Sequence, residues 1–358
     1  MNLLKSFGFK DFFKEHFSEF SENGFSPARV AVENKNNYIL YSEFGELTAE
    51  LSGKFYFNYE DKGDYPAVGD WVVIRPLPDE QKALIEHVLP RMNSFSRKAA
   101  GTKTDEQVIA ANIDVLFIMT SLNKELNIRR MERYLTLALD RGLQPVVILS
   151  KADLCEDIDS KMMSMENIIK NIPVHIVSSV KKEGIDELKK YFEGNKTAAI
   201  VGSSGVGKST FINALLGEDR LTVKDITAYK DKGVHTTSRR ELILLPDGGM
   251  IIDTPGMREL QLWDGGDGLS DVFEDIEALF SNCKFSDCKH ESEPGCAVRE
   301  AIKSGELDED RYNSYLKMQK EVNYFERRKD QKALLEEKKK WKKIHKEGKE
   351  HMKVFKNR

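Results

Sequence analysis

The chain has 358 residues, 40% of them hydrophobic and 32% charged, enough apolar material for more than one core. Its mean hydropathy is -0.49 and it holds no run of about 18 apolar residues, which excludes a transmembrane helix, and no membrane partner is expected. The formal charge of -4 hides a gradient: residues 311–358 carry 17 Lys+Arg against 7 Asp+Glu, so the rest stands at -14, and an acidic body with a basic tail suits a polyanionic partner.

Residues 1–27 read as an amphipathic helical extension. Phe7, Phe9, Phe12, Phe13, Phe17 and Phe20 recur at helical spacing, and Asn23-Gly24 and Pro27 close the segment. Lys10, Asp11, Lys14 and Glu15 interrupt the apolar stretch, so it is not an export signal and a cytoplasmic location is expected. The Phe stripe is expected to pack on the next domain. From residue 28 the period falls to two. Ala28–Glu33, Tyr38–Ser42, Leu47–Tyr59, Trp71–Arg75 and Ala83–His87 read as strands, which fit a small closed barrel of the OB type over 28–95. Residues 91–107 are polar and basic and read as a linker.

Beyond it the rhythm is strand–helix–strand. The apolar runs Asp114–Thr120, Pro145–Leu149, Val174–Val177 and Ala198–Val201 alternate with helices expected near Arg129–Arg141, Lys161–Asn171 and Ile185–Phe192. This predicts a parallel sheet covered on both faces, an α/β domain over 96–265. Gly202-Ser203-Ser204-Gly205-Val206-Gly207-Lys208-Ser209 matches G-x-x-x-x-G-K-[ST], follows a strand and opens a helix at Thr210. The glycines let backbone N–H groups wrap phosphate oxygens. Lys208 should reach the β- and γ-phosphates, and the Ser209 hydroxyl should hold Mg²⁺.

Such a loop does not separate ATP from GTP. Ser150-Lys151-Ala152-Asp153, at the end of a strand, does so if it reads the base. A carboxylate there accepts both N1–H and N2–H of guanine, a donor pair that adenine lacks, and the Lys151 stem would lie over the base. Ser178 and Ser179, one strand later, resemble the loop that contacts guanine O6. Asp253, in Asp253-Thr254-Pro255-Gly256, would reach Mg²⁺ through a water. Thr237 or Thr236 would complete the metal's ligands from a polar stretch that can order around the γ-phosphate.

Cys283, Cys288, His290 and Cys296 are spaced C-x4-C-x-H-x5-C. Three thiolates and an imidazole suit tetrahedral Zn²⁺ with no open position, which makes the site structural and assigns 266–358 to a zinc-binding, mostly helical domain with a basic tail. That tail, with Lys338, Lys339, Lys340, Lys342 and Lys343 around Trp341, and the aromatic barrel read together as RNA-binding surfaces.

The base-reading motifs precede the phosphate loop, which reverses the usual GTPase order, so the domain reads as circularly permuted; domain termini are often adjacent, which permits this. The order SKAD–SS–GSSGVGKST–HTTS–DTPG, with VGDW (68–71), SRKAAG (96–101) and CAV (296–298), resembles the ribosome small-subunit-dependent GTPases of the RsgA/YjeQ family over nearly the whole chain. The resemblance implies an OB-fold, a permuted GTPase and a zinc-binding helical domain. It implies GTP hydrolysis to GDP stimulated by the 30S subunit during late maturation of that subunit, with 16S rRNA as a partner and a monomer as the default state. His235 resembles the family's proposed catalytic histidine; the residues alone also fit a plain loop position. Two departures stand out. Ser150 occupies the usual Asn position and is expected to lose a contact to the base or the phosphate loop. Met257 stands where many GTPases orient water with Gln, so intrinsic hydrolysis should be slow. The competing readings are an RNA-binding assembly factor with a weak or vestigial nucleotide site, and a permuted GTPase serving the large subunit.

Overall fold

In a computed structural model of the chain, the residues described are 2–59, 62–77, 80–98, 106–123, 126–221, 240–254, 267–324 and 327. The N-terminal segment forms α1 (Asn2–Ser6) and α2 (Asp11–Phe17) and a 3-10 turn over Ser18–Asn23, not one helix. The break falls at Gly8, at φ +80, where an added Cβ would sit 2.8 Å from Arg29 Nη1. The Phe stripe packs on the barrel: Phe7 and Phe13 are buried with Trp71, Val73 and Leu89.

The barrel comprises β1 (Ser26–Glu33), β2 (Tyr38–Ser42), β3 (Gly45–Leu51), α3 (Gly53–Asn58), β4 (Trp71–Leu77) and β5 (Lys82–Val88). Pairing runs β1-β2-β3-β5-β4 and closes through β1–β4, with β3–β5 parallel and the other pairs antiparallel. Val30, Leu40, Phe55, Val72, Ile74 and Ile85 fill it. The expected strand Leu47–Tyr59 ends at Leu51. Ser52 Oγ accepts from Phe55 N at 3.1 Å and caps α3, so a helix start overrides the strand-like aromatic composition that follows. The expected linker is also ordered in part: β6 (Ser94–Lys98) and β7 (Glu106–Ala111) pair antiparallel. The Val68-Gly69-Asp70-Trp71 turn locks this hairpin to the barrel. Gly69 has φ +94, and a Cβ there would lie 2.2 Å from Ala111 O, so any larger residue collides with backbone.

Arg29 is buried where three segments meet. It donates to the carbonyls of Phe7 in the extension, Gly69 in the barrel and Asn112 ahead of the next domain. Burial pulls its pKa down to about 10 against the pull of Asp114 and Asp70.

The α/β part runs β8 (Val115–Ser121), α4 (Ile128–Asp140), β9 (Gln144–Ser150), α5 (Ile158–Met163), α6 (Glu166–Ile169), β10 (Val174–Ile176), a 3-10 segment over Asp186–Phe192, β11 (Thr197–Gly202), α7 (Lys208–Leu216), β12 (Glu241–Leu244) and β13 (Met250–Asp253). The helix expected near Lys161–Asn171 is two short ones, and that near Ile185–Phe192 is a 3-10 segment. Sheet order is β10-β9-β8-β11-β13-β12, parallel except for β12, and Val32 pairs with Glu241 so that barrel and sheet are continuous. Phe117, Ile200 and Phe211 pack on one face. On the other, Leu116, Leu135 and Leu149 share a core with Phe273, Ile276, Val298 and Tyr315 of the C-terminal helices α8 (Asp267–Val272), α9 (Glu274–Phe280), α10 (Ala297–Ser304) and α11 (309–324). A buried cation fastens that contact. Arg311 donates to Glu132 of α4 at 2.8 Å and to Asp275 at 2.6 and 2.9 Å, and Ser314 also donates to Glu132. No described helix is long and apolar enough to cross a membrane.

Candidate nucleotide site and Cys/His cluster

The sequence motifs gather at one edge of the parallel sheet. Register aligns Ser150 with Ser121, Gly202 with Met119, and Asp253 with Ile200, so β9, β11 and β13 all deliver their motifs from their carboxyl ends. Gly202 has φ +154, and a Cβ there would lie 2.4 Å from Met119 O, so the loop turns against its neighbouring strand only because that position lacks a side chain. Gly207, at φ +103, leads into α7. Lys208 Nζ donates to the carbonyls of Gly202 and Ser203 at 2.8 and 2.9 Å, which holds the ammonium across the loop. Burial lowers the Lys208 pKa and Asp253 opposes this; burial raises that of Asp253 and Lys208 opposes that.

Asp253 Oδ1 is buried and takes no hydrogen bond from any described residue. An orphaned carboxylate oxygen is costly unless a cation joins it, and with the Ser209 hydroxyl at the start of α7 the donor set is the all-oxygen kind that Mg²⁺ takes. Thr254 Oγ1 donates to Ile200 O and fastens the start of the D-T-P-G segment to β11. His235, Thr236, Thr237, Pro255, Gly256 and Met257 lie outside the described residues, as does the Lys338–Lys343 tail.

The Ser150–Asp153 loop is tied at both sides. Ser150 is buried, and its hydroxyl contacts Val206 O at 2.8 Å and Thr120 O at 3.2 Å. The shorter side chain at this position thus still reaches the phosphate loop, because the strand end lies close to Val206. Lys151 adopts a left-handed conformation (φ 58), which turns the chain so that Ala152 N meets Val177 O at 3.2 Å. Ser178 Oγ donates to Asp153 Oδ1 at 2.7 Å and so orients the carboxylate. Ser179 lies beside it, half-buried.

The Cys/His cluster forms as its spacing predicts. The ligand atoms of Cys283, Cys288, His290 and Cys296 lie within 4.8 Å of one another. Cys283 Sγ and Cys296 Sγ are each 3.5 Å from His290 Nδ1. Tetrahedral zinc with thiolate and imidazole ligands separates S from N by about 3.6 Å, so the residues fit that ion. Phe280 stacks on the His290 ring at 4.4 Å. Two features of the site escaped sequence reading: Arg130, whose Nη1 donates to Ser203 Oγ, and the buried Glu132 that anchors the C-terminal helices. Neither belongs to a local motif.

The Gly202–Ser209 loop between the strand ends at Ser150–Asp153 and Asp253, in permuted chain order beside a closed barrel, is the arrangement of a circularly permuted GTPase. A family model described as RsgA GTPase matches residues 88–263. The chain is 46% identical over 318 residues to the small ribosomal subunit biogenesis GTPase RsgA 1 of Oceanobacillus iheyensis, covering 88% of this chain and 91% of that one. It is 42% identical over 351 residues to the small ribosomal subunit biogenesis GTPase RsgA of Opitutus terrae, covering 96% of each. The crystal structure of YjeQ from Thermotoga maritima superposes with a TM-score of 0.59 at 28% identity, over 83% of this chain and 98% of that one. The chain belongs to the RsgA GTPase family and is a GTP hydrolase; this favours the enzymatic reading over that of an assembly factor with a vestigial site.

Proposed function

We propose that this GTPase binds the small (30S) ribosomal subunit and acts in its late maturation, hydrolysing GTP to GDP and phosphate under stimulation by the subunit. The observation that carries the reading is the convergence of Ser150–Asp153, Ser178, Gly202–Ser209 and Asp253 at one sheet edge, in a chain whose relatives are named for small-subunit biogenesis.

In this reading Asp153, oriented by Ser178, accepts guanine N1–H and N2–H, with Lys151 over the base and Ser179 beside it. Residues 202–210 enclose the phosphates and Lys208 neutralises their charge. Ser209, Asp253 and Thr237 would hold Mg²⁺, which would supply positive charge to the phosphates. Met257 cannot orient water, and His235, two residues from Thr237, is the side chain assigned to that task. Cys283, Cys288, His290 and Cys296 would hold a zinc ion, which would tie together a segment too polar to fold by burial alone. The barrel and the basic tail contact 16S rRNA, and the protein acts as a cytoplasmic monomer.

Turnover of GTP and of ATP, measured with and without purified 30S or 50S particles, tests the proposal. GTP-selective turnover that rises with 30S and not with 50S is expected. Absence of 30S stimulation would overturn it.

A further inference from the structure

We propose that Arg130 is a second cationic contact for the terminal phosphate of bound GTP, beside Lys208. The inference rests on reading 202–209 as the nucleotide's phosphate loop. It starts from the first turn of α4, where Asn127 Oδ1 accepts from Arg130 N at 2.9 Å and fixes the backbone. That turn and the next carry Arg129, Arg130 and Arg133. Two of the three are neutralised. Arg129 pairs with Glu132 at 2.6 Å and with Asp308, and Arg133 pairs with Glu321 at 2.5 and 3.0 Å.

Arg130 is treated differently. Its Nη1 donates to Ser203 Oγ, the second residue of the phosphate loop, and no carboxylate among the described residues pairs with it. A hydroxyl satisfies one N–H but leaves the charge uncompensated, and the exposed guanidinium keeps further donors in its fork. Lys208 is held over the same loop, and its charge is shared with Asp253. An arginine poised on a phosphate loop matches what phosphoryl transfer needs, because the charge that spreads over the equatorial oxygens is met best by planar, bidentate donors. Met257 cannot orient water or meet this charge, and the Arg130 guanidinium on α4 supplies a cation beside the phosphate loop.

The test compares Arg130→Ala, Arg130→Lys, Ser203→Ala and Lys208→Ala as full-length proteins. GDP and a non-hydrolysable GTP analogue are titrated, and kcat and KM are measured with 30S particles. Arg130→Ala should leave GDP affinity within about twofold while lowering analogue affinity or kcat by about a hundredfold to a thousandfold, the range for removal of one preorganised charge-stabilising donor. Arg130→Lys should recover part of that loss. Two results would overturn the inference. One is an unchanged kcat and GTP-to-GDP preference in Arg130→Ala while Lys208→Ala abolishes binding. The other is an equal loss of GDP and analogue affinity matched by Ser203→Ala, which would mean that the contact only shapes the loop. If Lys208→Ala also leaves binding intact, the phosphate-loop reading itself has failed.

Discussion

The Ser150 hydroxyl sits 2.8 Å from the Val206 carbonyl, so one side chain at the end of β9 joins the Ser150–Asp153 loop to the Gly202–Ser209 loop. The two halves of the nucleotide site are thereby held in register across a chain order that separates them by 56 residues. Ser150→Ala removes this link and the weaker one to Thr120 O. Each neutral hydrogen bond contributes about 0.5–1.5 kcal/mol, so Kd for GDP and GTP should rise together by roughly two- to tenfold, with guanine selectivity kept. Equilibrium titration of both nucleotides checks it.

Asp153→Asn should change which base is read. The amide keeps one acceptor for N1–H but offers a donor where guanine also presents a donor. Loss of a charge-assisted pair costs about 1.5–3 kcal/mol, so GTP affinity should fall by roughly ten- to a hundredfold. Xanthine carries an acceptor at that position, and XTP affinity should rise. Competition between GTP and XTP reads the switch directly.

Glu132 and Arg311 lie 179 residues apart and meet in a buried ion pair. Removing Glu132 alone leaves the Arg311 guanidinium with Asp275 and a partly unmet charge, and should destabilise by about 3–5 kcal/mol. Replacing both by apolar residues, Glu132→Leu with Arg311→Met, should be less damaging than either single change, since the two fully buried charges go together and the Asp275 and Arg129 left behind are partly exposed to water. Denaturant unfolding of the three variants gives the comparison.

Metal removal should act locally first. Among Cys283, Cys288, His290 and Cys296 only Cys296 is buried, so little but the metal would keep residues 283–296 folded. Chelation should release about one zinc per chain and raise hydrogen exchange in this segment well before β8–β11 are affected. A Cys288→Ser variant should behave like the chelated protein.

On the barrel, Tyr56 and Phe57 of α3 are 58% and 87% exposed, whereas Phe55 and Trp71 are fully buried. If rRNA stacks on this surface, Phe57→Ala should weaken 30S binding by about 1–3 kcal/mol while leaving the melting temperature unchanged. Phe55→Ala should lower the melting temperature, since it empties a core position. Sedimentation with 30S particles and calorimetry separate the two effects.

The residues that announce themselves in the sequence are those whose chemistry demands a fixed local spacing. Gly202–Ser209 needs its glycines and lysine at set intervals, and Cys283–Cys296 needs four ligands within reach of one ion. The barrel strands showed through their alternation. What stayed hidden depends on competition or distance. Phe55–Tyr59 carries strand-like aromatics, yet the Ser52 cap and the barrel interior draw it into a helix. The hairpin Ser94–Ala111 hides its inward Phe95, Ile109 and Ala111 among polar neighbours. Arg130 and Glu132 look like ordinary helix-surface charges until α4 is placed between the phosphate loop and α11.

Arg29 has a practical consequence for anyone shortening the molecule. A chain trimmed ahead of Ser26 would forfeit the Phe7 carbonyl, leave the buried Arg29 guanidinium with one acceptor fewer, and uncover Trp71 beside it. Such a fragment should be sticky and poorly soluble even though every strand of the barrel is retained, so the first twenty-five residues belong to the folded unit rather than to a dispensable leader.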